Sequence, residues 1–299
     1  MDEKTIKDRF SKLTIWERGG ERAPHKPLLI LYALGQIFHD RQRLIRYEEI
    51  DEKLRRLLED FGPDRASYHP EYPFWRLQQD QIWEVSNASS ITVTKSGDVK
   101  KRELLEKGIT GGFPESVYQA LRDDPQLFQE IVQELLDSNF PSSVHEDILQ
   151  SVGIDFEAAK LPKKQKRDPE FREKILRAYE YKCAVCGFDV RLGHTPIALE
   201  AAHIKWKQAG GPDIEVNGLA LCVLHHKLFD RGAFTLTENL EIMISDRAHG
   251  HTGFQEWLMR FHGKKITPPQ KTIYLPDQDF RGWHIKEVFK GEFREFLSY

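Results

Sequence analysis

The stretch Cys183-Ala-Val-Cys186, followed 36 residues later by Cys222-Val-Leu-His225, decides how the carboxyl-terminal part of the chain folds. In each pair, two residues separate the potential ligands, so each pair can form a tight turn around an ion. Three thiolates and one imidazole satisfy tetrahedral zinc. We therefore predict a structural Zn²⁺ site formed by Cys183, Cys186, Cys222 and His225, which stabilises a domain with a small core.

A redox dithiol is the alternative interpretation of the first pair. Such a dithiol is expected beside a β-α-β unit, which the surrounding sequence lacks, and it would leave Cys222 without a role. The chain has three cysteines, an odd number that argues against a framework of disulfides and for reduced thiols.

A second pattern lies between and beside the two ligand pairs. It consists of Leu199-Glu-Ala-Ala-His203-Ile204, Asn217-Gly-Leu-Ala-Leu-Cys222 and His225-His226-Lys-Leu-Phe-Asp230. From Tyr181 to Phe234 the sequence resembles the HNH nuclease family. The ββα-metal fold of that family places a histidine at the end of one strand, an asparagine in the loop and a second histidine on the following helix.

The resemblance implies hydrolysis of a phosphodiester with His203 as the general base for water, a role suited to imidazole because it titrates near neutral pH. His226 would hold one Mg²⁺ or Mn²⁺ ion against the scissile phosphate, and Asn217 would tie the loop so that His203 is correctly directed. Asp230 follows His226 by one helical turn and can face the same ion, or it is an ordinary surface carboxylate.

The sequence departs from the family at Ala202. Many members carry an aspartate or histidine metal ligand immediately before the first histidine. Its absence leaves the catalytic ion with fewer protein ligands and puts the identity of the metal in doubt, but it does not remove the base.

The first 158 residues predict a mostly helical domain. Pro27–Phe38 is apolar on nearly every side and predicts a buried central helix, and the spacing of apolar residues in Tyr47–Phe61 predicts an amphipathic helix that ends at Gly62-Pro63. Phe74–Val85 is expected to form two short strands joined by a polar turn. Further helices are predicted around Glu115–Leu121, Pro125–Ser138 and Ser143–Val152.

A basic segment with two prolines, Lys160–Pro169, predicts a linker over residues 159–169. After it we predict a helix over Glu170–Tyr181, strands near Ile197–Ala202 and Leu240–Ile244, and a helix beginning near Cys222. The predicted class is α+β, with a helical amino-terminal domain that contains a β-hairpin (residues 1–158) and a zinc-stabilised HNH domain with a carboxyl-terminal extension (residues 170–299).

Three stretches of the amino-terminal part resemble the sulfur-binding domain of phosphorothioate-dependent restriction endonucleases. They are Ala23-Pro-His-Lys-Pro-Leu-Leu-Ile-Leu31, Tyr72-Pro-Phe-Trp-Arg76 and Gly111-Gly-Phe-Pro114. Those enzymes join such a domain to a carboxyl-terminal HNH domain, and Trp283-His284 with Val288-Phe289 is similar to their tails. The resemblance implies that residues 1–158 recognise phosphorothioated DNA.

A non-bridging sulfur is larger, softer and more weakly hydrated than oxygen, so a shallow apolar pocket beside cations favours it. The resemblance gives His25, Lys26, Tyr72 and Pro73 as DNA contacts, and we add Arg102 from its basic neighbourhood. Two alternatives stay open. Tyr72 and its neighbours can be a turn that enters a half-buried strand, and Lys26-Pro27 can be only the start of a helix.

The composition, 39% hydrophobic and 30% charged in 299 residues, is that of a soluble globular protein. The sequence contains no apolar run of bilayer length, and its charged first residues do not suit a signal peptide, so we expect a cytoplasmic protein. The net charge of −3 does not exclude nucleic acid, because charge is unevenly distributed. Residues 115–160 hold ten acidic and two basic residues, whereas residues 161–182 hold eight basic and four acidic residues.

Taken together, the two resemblances imply a type IV-like restriction endonuclease whose partner is phosphorothioated double-stranded DNA. One HNH domain has one active site, so we expect a homodimer or two successive cuts for a double-strand break. Two alternatives remain: a nuclease whose amino-terminal domain reads methylated cytosine or plain sequence, and a zinc-stabilised DNA-binding module that does not cut.

Overall fold

The computed structural model describes residues 3–14, 21–155 and 169–295, and the chain divides into two compact units, residues 1–164 and 165–299. Each unit has its own cluster of buried apolar side chains. Almost all of the predicted linker, residues 159–168, lies outside the described residues.

Helices form most of the described amino-terminal unit. They are α1 (Glu3–Ser11), α2 (His25–Phe38), α3 (Tyr47–Phe61), α4 (Glu71–Arg76), α5 (Lys101–Glu106), α6 (Glu115–Asp123), α7 (Pro125–Asn139) and α8 (His145–Val152). Helix α2 is buried from Pro27 to Ile37, which confirms the predicted central helix. The amphipathic helix α3 ends at Phe61 as predicted, and the three helices predicted between residues 115 and 152 are also confirmed.

The hairpin predicted over Phe74–Val85 is wrong. The segment continues α4 into a 3₁₀ turn at Leu77–Asp80, and only Glu84–Val85 is a strand. Phe74 and Leu77 are fully buried and lie three residues apart, which is a helical and not an extended spacing. The β-propensity of the aromatic residues was therefore overridden by packing against the core.

A small antiparallel sheet in this unit joins strands that are distant in sequence: β1 (Leu44–Arg46), β2 (Glu84–Val85) and the central β3 (Thr110–Gly112). Two glycines of β3 lie where side chains do not fit. A Cβ on Gly111 would lie 2.6 Å from the Phe74 ring, and one on Gly112 would overlap the carbonyl oxygen of Arg43. Gly111 thus lets this sheet pack closely against α4, and Gly112 lets β3 approach the backbone at the start of β1.

The carboxyl-terminal unit is built around one long hairpin. Its described elements are α9 (Pro169–Ala178), β4 (Arg191–Leu192), β5 (Thr195–Pro196), β6 (Leu199–His203), β7 (Gly218–Cys222), α10 (Val223–Asp230), β8 (Phe234–Leu236), β9 (Ile242–Ile244), α11 (Thr252–Trp257) and α12 (Gln278–Glu287). Strands β6 and β7 pair antiparallel, and both α9 and α10 pack on them. The order β6-β7-α10 is the ββα arrangement that the sequence predicts, and the α+β class is confirmed.

Helix α12 packs against this scaffold. The Trp283 ring lies 6.0 Å from that of Trp206 at 61°. The His284 ring stacks on Phe229 of α10, with centroids 3.7 Å apart and planes 7° apart, and its Nδ1 lies 2.9 Å from the hydroxyl of Thr235 in β8. Helix α12 therefore packs against the side of α10 that carries Phe229.

Across residues 3–14, 21–155 and 169–295, the structure contains no helix with both the length and the apolar character needed to cross a membrane.

Candidate functional site

The four residues of the predicted zinc site converge, and their donor atoms all lie within 4.8 Å of one another. Nδ1 of His225 lies 3.1 Å from the sulfur of Cys222 and 3.8 Å from that of Cys183. The sulfurs of Cys186 and Cys222 are 3.9 Å apart. Soft sulfur and imidazole donors at this spacing suit a tetrahedral metal ion, so the cluster could hold a metal.

The local structure fixes these donors. The turn that carries the first two cysteines is closed by a hydrogen bond from the Gly187 N–H to the carbonyl of Cys183 (2.8 Å). Cys222 ends β7, and His225 lies in the first turn of α10. Nε2 of His225 lies 2.9 Å from the carbonyl oxygen of Trp257, which orients Nδ1 towards the thiols.

His203, the predicted base, ends β6 and is held on two sides. Its Nε2 lies 2.7 Å from a carboxylate oxygen of Asp213, whose other oxygen accepts a hydrogen bond from Lys207 (2.6 Å). The imidazole also stacks on Phe171 of α9, with centroids 4.0 Å apart and planes 14° apart. A neutral His203 that donates its Nε2–H to Asp213 keeps the Nδ1 lone pair for a proton.

The electrostatic environment favours that neutral form. Burial lowers the pKa of His203 below its ordinary value, although the carboxylates of Asp213 and Asp230 oppose the shift. At neutral pH the imidazole is therefore deprotonated on one nitrogen and able to act as a base.

Asn217 is fully buried and ties the loop between β6 and β7. Its amide nitrogen donates to the carbonyls of Lys205 (3.0 Å) and Pro212 (2.9 Å), and its oxygen accepts from the N–H of Lys205 (2.8 Å). These bonds fix the loop that carries Asp213, the residue whose carboxylate contacts His203.

His226 lies between two carboxylates. Its Nδ1 is 2.7 Å from Glu200 of β6, and its Nε2 is 3.0 Å from Asp230 of α10. The second oxygen of Asp230 accepts the indole N–H of Trp206 (3.1 Å). Burial alone would lower the pKa of His226, but Asp230 and Glu200 raise it to about 9. Since Asp230 also raises the pKa of His203, the two histidines share one electrostatic environment.

The sequence analysis did not find Glu200, Asp213, Phe171 or Trp206. The strand period of two would have put Glu200 on the same face as Ala202, which was a usable signal. Asp213 carried no such signal, because a loop brings it to His203 across ten residues.

In the amino-terminal unit, four of the predicted DNA contacts line one cleft of about 670 Å³: His25, Lys26, Tyr72 and Pro73. Arg102 does not line it; it lies on α5, is exposed and pairs with Glu106 (2.6 Å). The cleft also contains residues that the sequence analysis did not single out, including Arg22, Arg65, His69 and Arg76.

The Tyr72 ring forms one wall of the cleft between two other groups. It stacks on His69, with centroids 4.8 Å apart and planes 16° apart, and the Arg76 guanidinium lies 5.1 Å from its centre. Pro73 is buried beside it. The cleft thus combines an apolar surface with neighbouring cationic groups.

At the start of α2, Lys26 forms an ion pair and His25 has a lowered pKa. The Lys26 ammonium lies 2.5 Å from the Asp80 carboxylate, and both side chains are largely buried. Burial, with smaller contributions from Arg65 and His69, lowers the pKa of His25 to about 4. His25 is therefore neutral at neutral pH.

Comparison with known families agrees with this geometry. A family model described as "ScoMcrA-like, DNA sulfur-binding domain" matches residues 3–157, and one described as "HNH endonuclease" matches residues 183–237. The first match covers more than half of the chain. The chain therefore belongs to the family with a ScoMcrA-like DNA sulfur-binding domain, and it carries an HNH endonuclease domain beside it.

Solved structures that match this chain include the "Sulfur binding domain of ScoMcrA complexed with phosphorothioated DNA" (24% identity, TM-score 0.44, covering 49% of this chain and 94% of that one). The corresponding domain of SprMcrA matches at 18% identity and TM-score 0.44, covering 52% and 95%. The type IV phosphorothioation-dependent restriction endonuclease ScoMcrA matches at 23% and 0.43, covering 50% of this chain and 32% of its own length. No curated protein matches the chain.

Proposed function

We propose that this chain is a modification-dependent restriction endonuclease of the cytoplasm. Residues 1–158 would bind phosphorothioated double-stranded DNA, and residues 170–299 would hydrolyse phosphodiester bonds near the mark, with residues 159–169 as a linker. The observation that carries the proposal is the presence in one chain of a DNA sulfur-binding match and an HNH match. The match to a DNA sulfur-binding domain supports phosphorothioated DNA as the substrate class.

Recognition of the mark would take place in the cleft beside Tyr72. A weakly hydrated sulfur gains by contact with the face of the Tyr72 ring and with Pro73. These surfaces offer no hydrogen bond, so an oxygen in the same place would lose its hydrogen bonds to water without replacement. Lys26 and Arg76 line the cleft and would donate hydrogen bonds to the phosphate, although each is also paired with a carboxylate, Asp80 and Asp98 respectively. Neutral His25 would contribute a hydrogen bond without charge. Arg102 remains a candidate only for a contact with DNA outside the cleft.

Cleavage would depend on His203. Its Nδ1 takes a proton from the attacking water, and Asp213 stabilises the imidazolium that forms. Asn217 keeps the intervening loop in place. His226 would hold one Mg²⁺ or Mn²⁺ ion, which when bound stabilises negative charge on the phosphate and the leaving oxygen.

The cluster of three cysteines and His225 would hold Zn²⁺ in a structural role. Four protein donors would complete the tetrahedral coordination of the ion and would leave no open position for substrate. The two ions are thus assigned to different sides of α10, through His225 and His226, which are adjacent in sequence and face different partners.

The test compares matched DNA duplexes with and without one backbone sulfur, each with Mg²⁺ or Mn²⁺. We expect metal-dependent cutting of the sulfur-containing duplex, and loss of cutting in His203→Ala. Equal cutting of both duplexes would contradict the sulfur proposal and favour a reader of methylated or plain DNA. Binding to the sulfur-containing duplex without cutting in any metal would favour a non-cleaving DNA-binding protein.

One nuclease site per chain cuts one strand, so we propose that double-strand breaks require a homodimer. Analytical ultracentrifugation on the sulfur-containing duplex tests this. A single protein chain per cut duplex, with nicks preceding breaks, would indicate two successive events instead.

A further inference from the structure

The strand position immediately before His203 cannot supply a metal ligand. Ala202 has no donor atom, is fully buried and lies opposite Leu219 of β7. A carboxylate for a divalent ion must therefore come from another position of the scaffold.

Glu200 meets this need from the same strand. Side chains two residues apart on a strand share a face, so Glu200 lies on the Ala202 face, one pleat earlier. Its Oε2 is 2.7 Å from Nδ1 of His226, and its side chain is 24% exposed. A carboxylate oxygen and an imidazole nitrogen thus meet at a position where the Glu200 side chain is partly open to solvent and the His226 ring is largely buried.

Asp230 lies at the other nitrogen of the His226 imidazole, away from Glu200. It contacts Nε2 of His226, its side chain is only 2% exposed, and its other oxygen is engaged by Trp206. The two ring nitrogens point in different directions, so one ion cannot contact both carboxylates together with His226. In agreement, among the described residues only the cysteine-histidine cluster brings three or more such donors to a single point.

We propose that Glu200 and Nδ1 of His226 are the protein ligands of the catalytic divalent ion, and that Asp230 is a positioning residue that orients His226 through Nε2. The inference rests on the proposed nuclease function. Mg²⁺ and Mn²⁺ are commonly held by one or two carboxylates with water and substrate phosphate in the remaining positions, so two protein ligands suffice. A carboxylate on the far nitrogen of a ligating histidine fixes its orientation. Asp230 thereby becomes a supporting residue and not a ligand.

The experiment titrates Mn²⁺ into the zinc-loaded full-length protein without DNA and follows free Mn²⁺ by electron paramagnetic resonance. We expect Glu200→Gln to weaken Mn²⁺ binding at least tenfold, while Glu256→Gln, which removes an exposed carboxylate on α11, leaves it unchanged. Asp230→Asn should weaken binding and keep the ¹⁴N coupling of His226 to bound Mn²⁺, a coupling that His226→Ala should remove. Glu200→Asp, with a shortened carboxylate, should fall between wild type and Glu200→Gln, and zinc content reports whether each variant is folded.

Unchanged Mn²⁺ affinity in folded Glu200→Gln and Glu200→Asp, or no Mn²⁺ binding by the wild type, would overturn the inference. A parallel cleavage assay separates this failure from failure of the proposed function. A wild type that binds Mn²⁺ through Glu200 but cuts no DNA contradicts the nuclease proposal alone. A wild type that cuts in Mn²⁺ while Glu200→Gln keeps both affinity and cutting contradicts only the assignment of Glu200.

Discussion

Nε2 of His203 lies 2.7 Å from Oδ1 of Asp213, and the imidazole is pressed against the ring of Phe171. The pair resembles the aspartate–histidine arrangement of other hydrolases, in which the carboxylate selects the tautomer and stabilises the imidazolium. The base that we propose, His203, is therefore paired with a carboxylate, although only the histidine belongs to the sequence pattern.

Asp213→Asn should lower the rate of DNA cleavage about 100-fold, because the amide can stabilise neither the tautomer nor the charge of His203. Asp213 raises the pKa of His203 against the effect of burial, so its removal lowers that pKa further. A base is active once deprotonated, so the acidic limb of the pH–rate profile should move to lower pH while the plateau falls. The measurement is single-turnover nicking at several pH values, with Glu256→Gln as control. An unchanged plateau would contradict the role of Asp213.

Tyr72→Ala should lower the preference for sulfur-containing over unmodified DNA about tenfold, which corresponds to about 1.4 kcal/mol. The substitution removes the apolar wall that stacks on His69. Fluorescence anisotropy with matched duplexes measures both affinities. Arg102→Gln is the matched control, since Arg102 lies outside the cleft, and it should leave the preference unchanged. A loss of preference in Arg102→Gln with none in Tyr72→Ala would move the recognition site to α5.

His25 should make the amino-terminal unit less stable in acid. Its pKa is lowered to about 4 in the folded state from an ordinary 6.5. The unfolded chain therefore binds the proton more readily, and the stability present above pH 6.5 falls as the pH drops and is lost below about 4. The full effect is about 3 kcal/mol. Urea unfolding followed at pH 7, 5.5 and 4 should show this decline in the wild type and a shallower one in His25→Gln.

Removal of zinc should unfold the carboxyl-terminal unit, because its four ligands join the turn at Cys183, the end of β7 and the start of α10. We expect a strong chelator or Cys222→Ser to abolish its cooperative thermal transition, whereas the amino-terminal unit, which has a separate core, still binds DNA. Calorimetry with zinc analysis provides the measurement, and zinc added back after chelation should restore the transition. A transition unaffected by zinc loss would show that the cluster is not structural.

The sequence predicted those helices in which the spacing of the apolar residues matches the side chains that the fold buries. Helix α2 is apolar on all sides, α3 has a clear apolar stripe, and both form as expected. The short segment over Phe74–Val85 has aromatic residues that favour strands, but the burial of Phe74 and Leu77 makes it helical. Strand β3 has almost no apolar pattern, since two of its three residues are glycines.

In the candidate sites, too, some residues could be predicted from local sequence and others depend on tertiary packing. The cluster of three cysteines and His225 was predictable because the spacing of its donors is itself the geometric requirement of a tetrahedral metal site. Asp213 was not, since its approach to His203 depends on a loop whose conformation is fixed by the buried amide of Asn217. Of the two partners of His226, Asp230 lies one helical turn away and was predictable, whereas the contact with Glu200 depends on how α10 packs against β6.

The HNH match ends at residue 237, yet His284 and Trp283 of α12 pack against Phe229 and Trp206. A fusion of this nuclease domain to another DNA-binding domain would therefore have to include the chain as far as the end of α12. A fragment that ends at residue 237 would expose Phe229 of α10, the helix that carries His226, to water. We expect such a fragment to lose both solubility and catalysis.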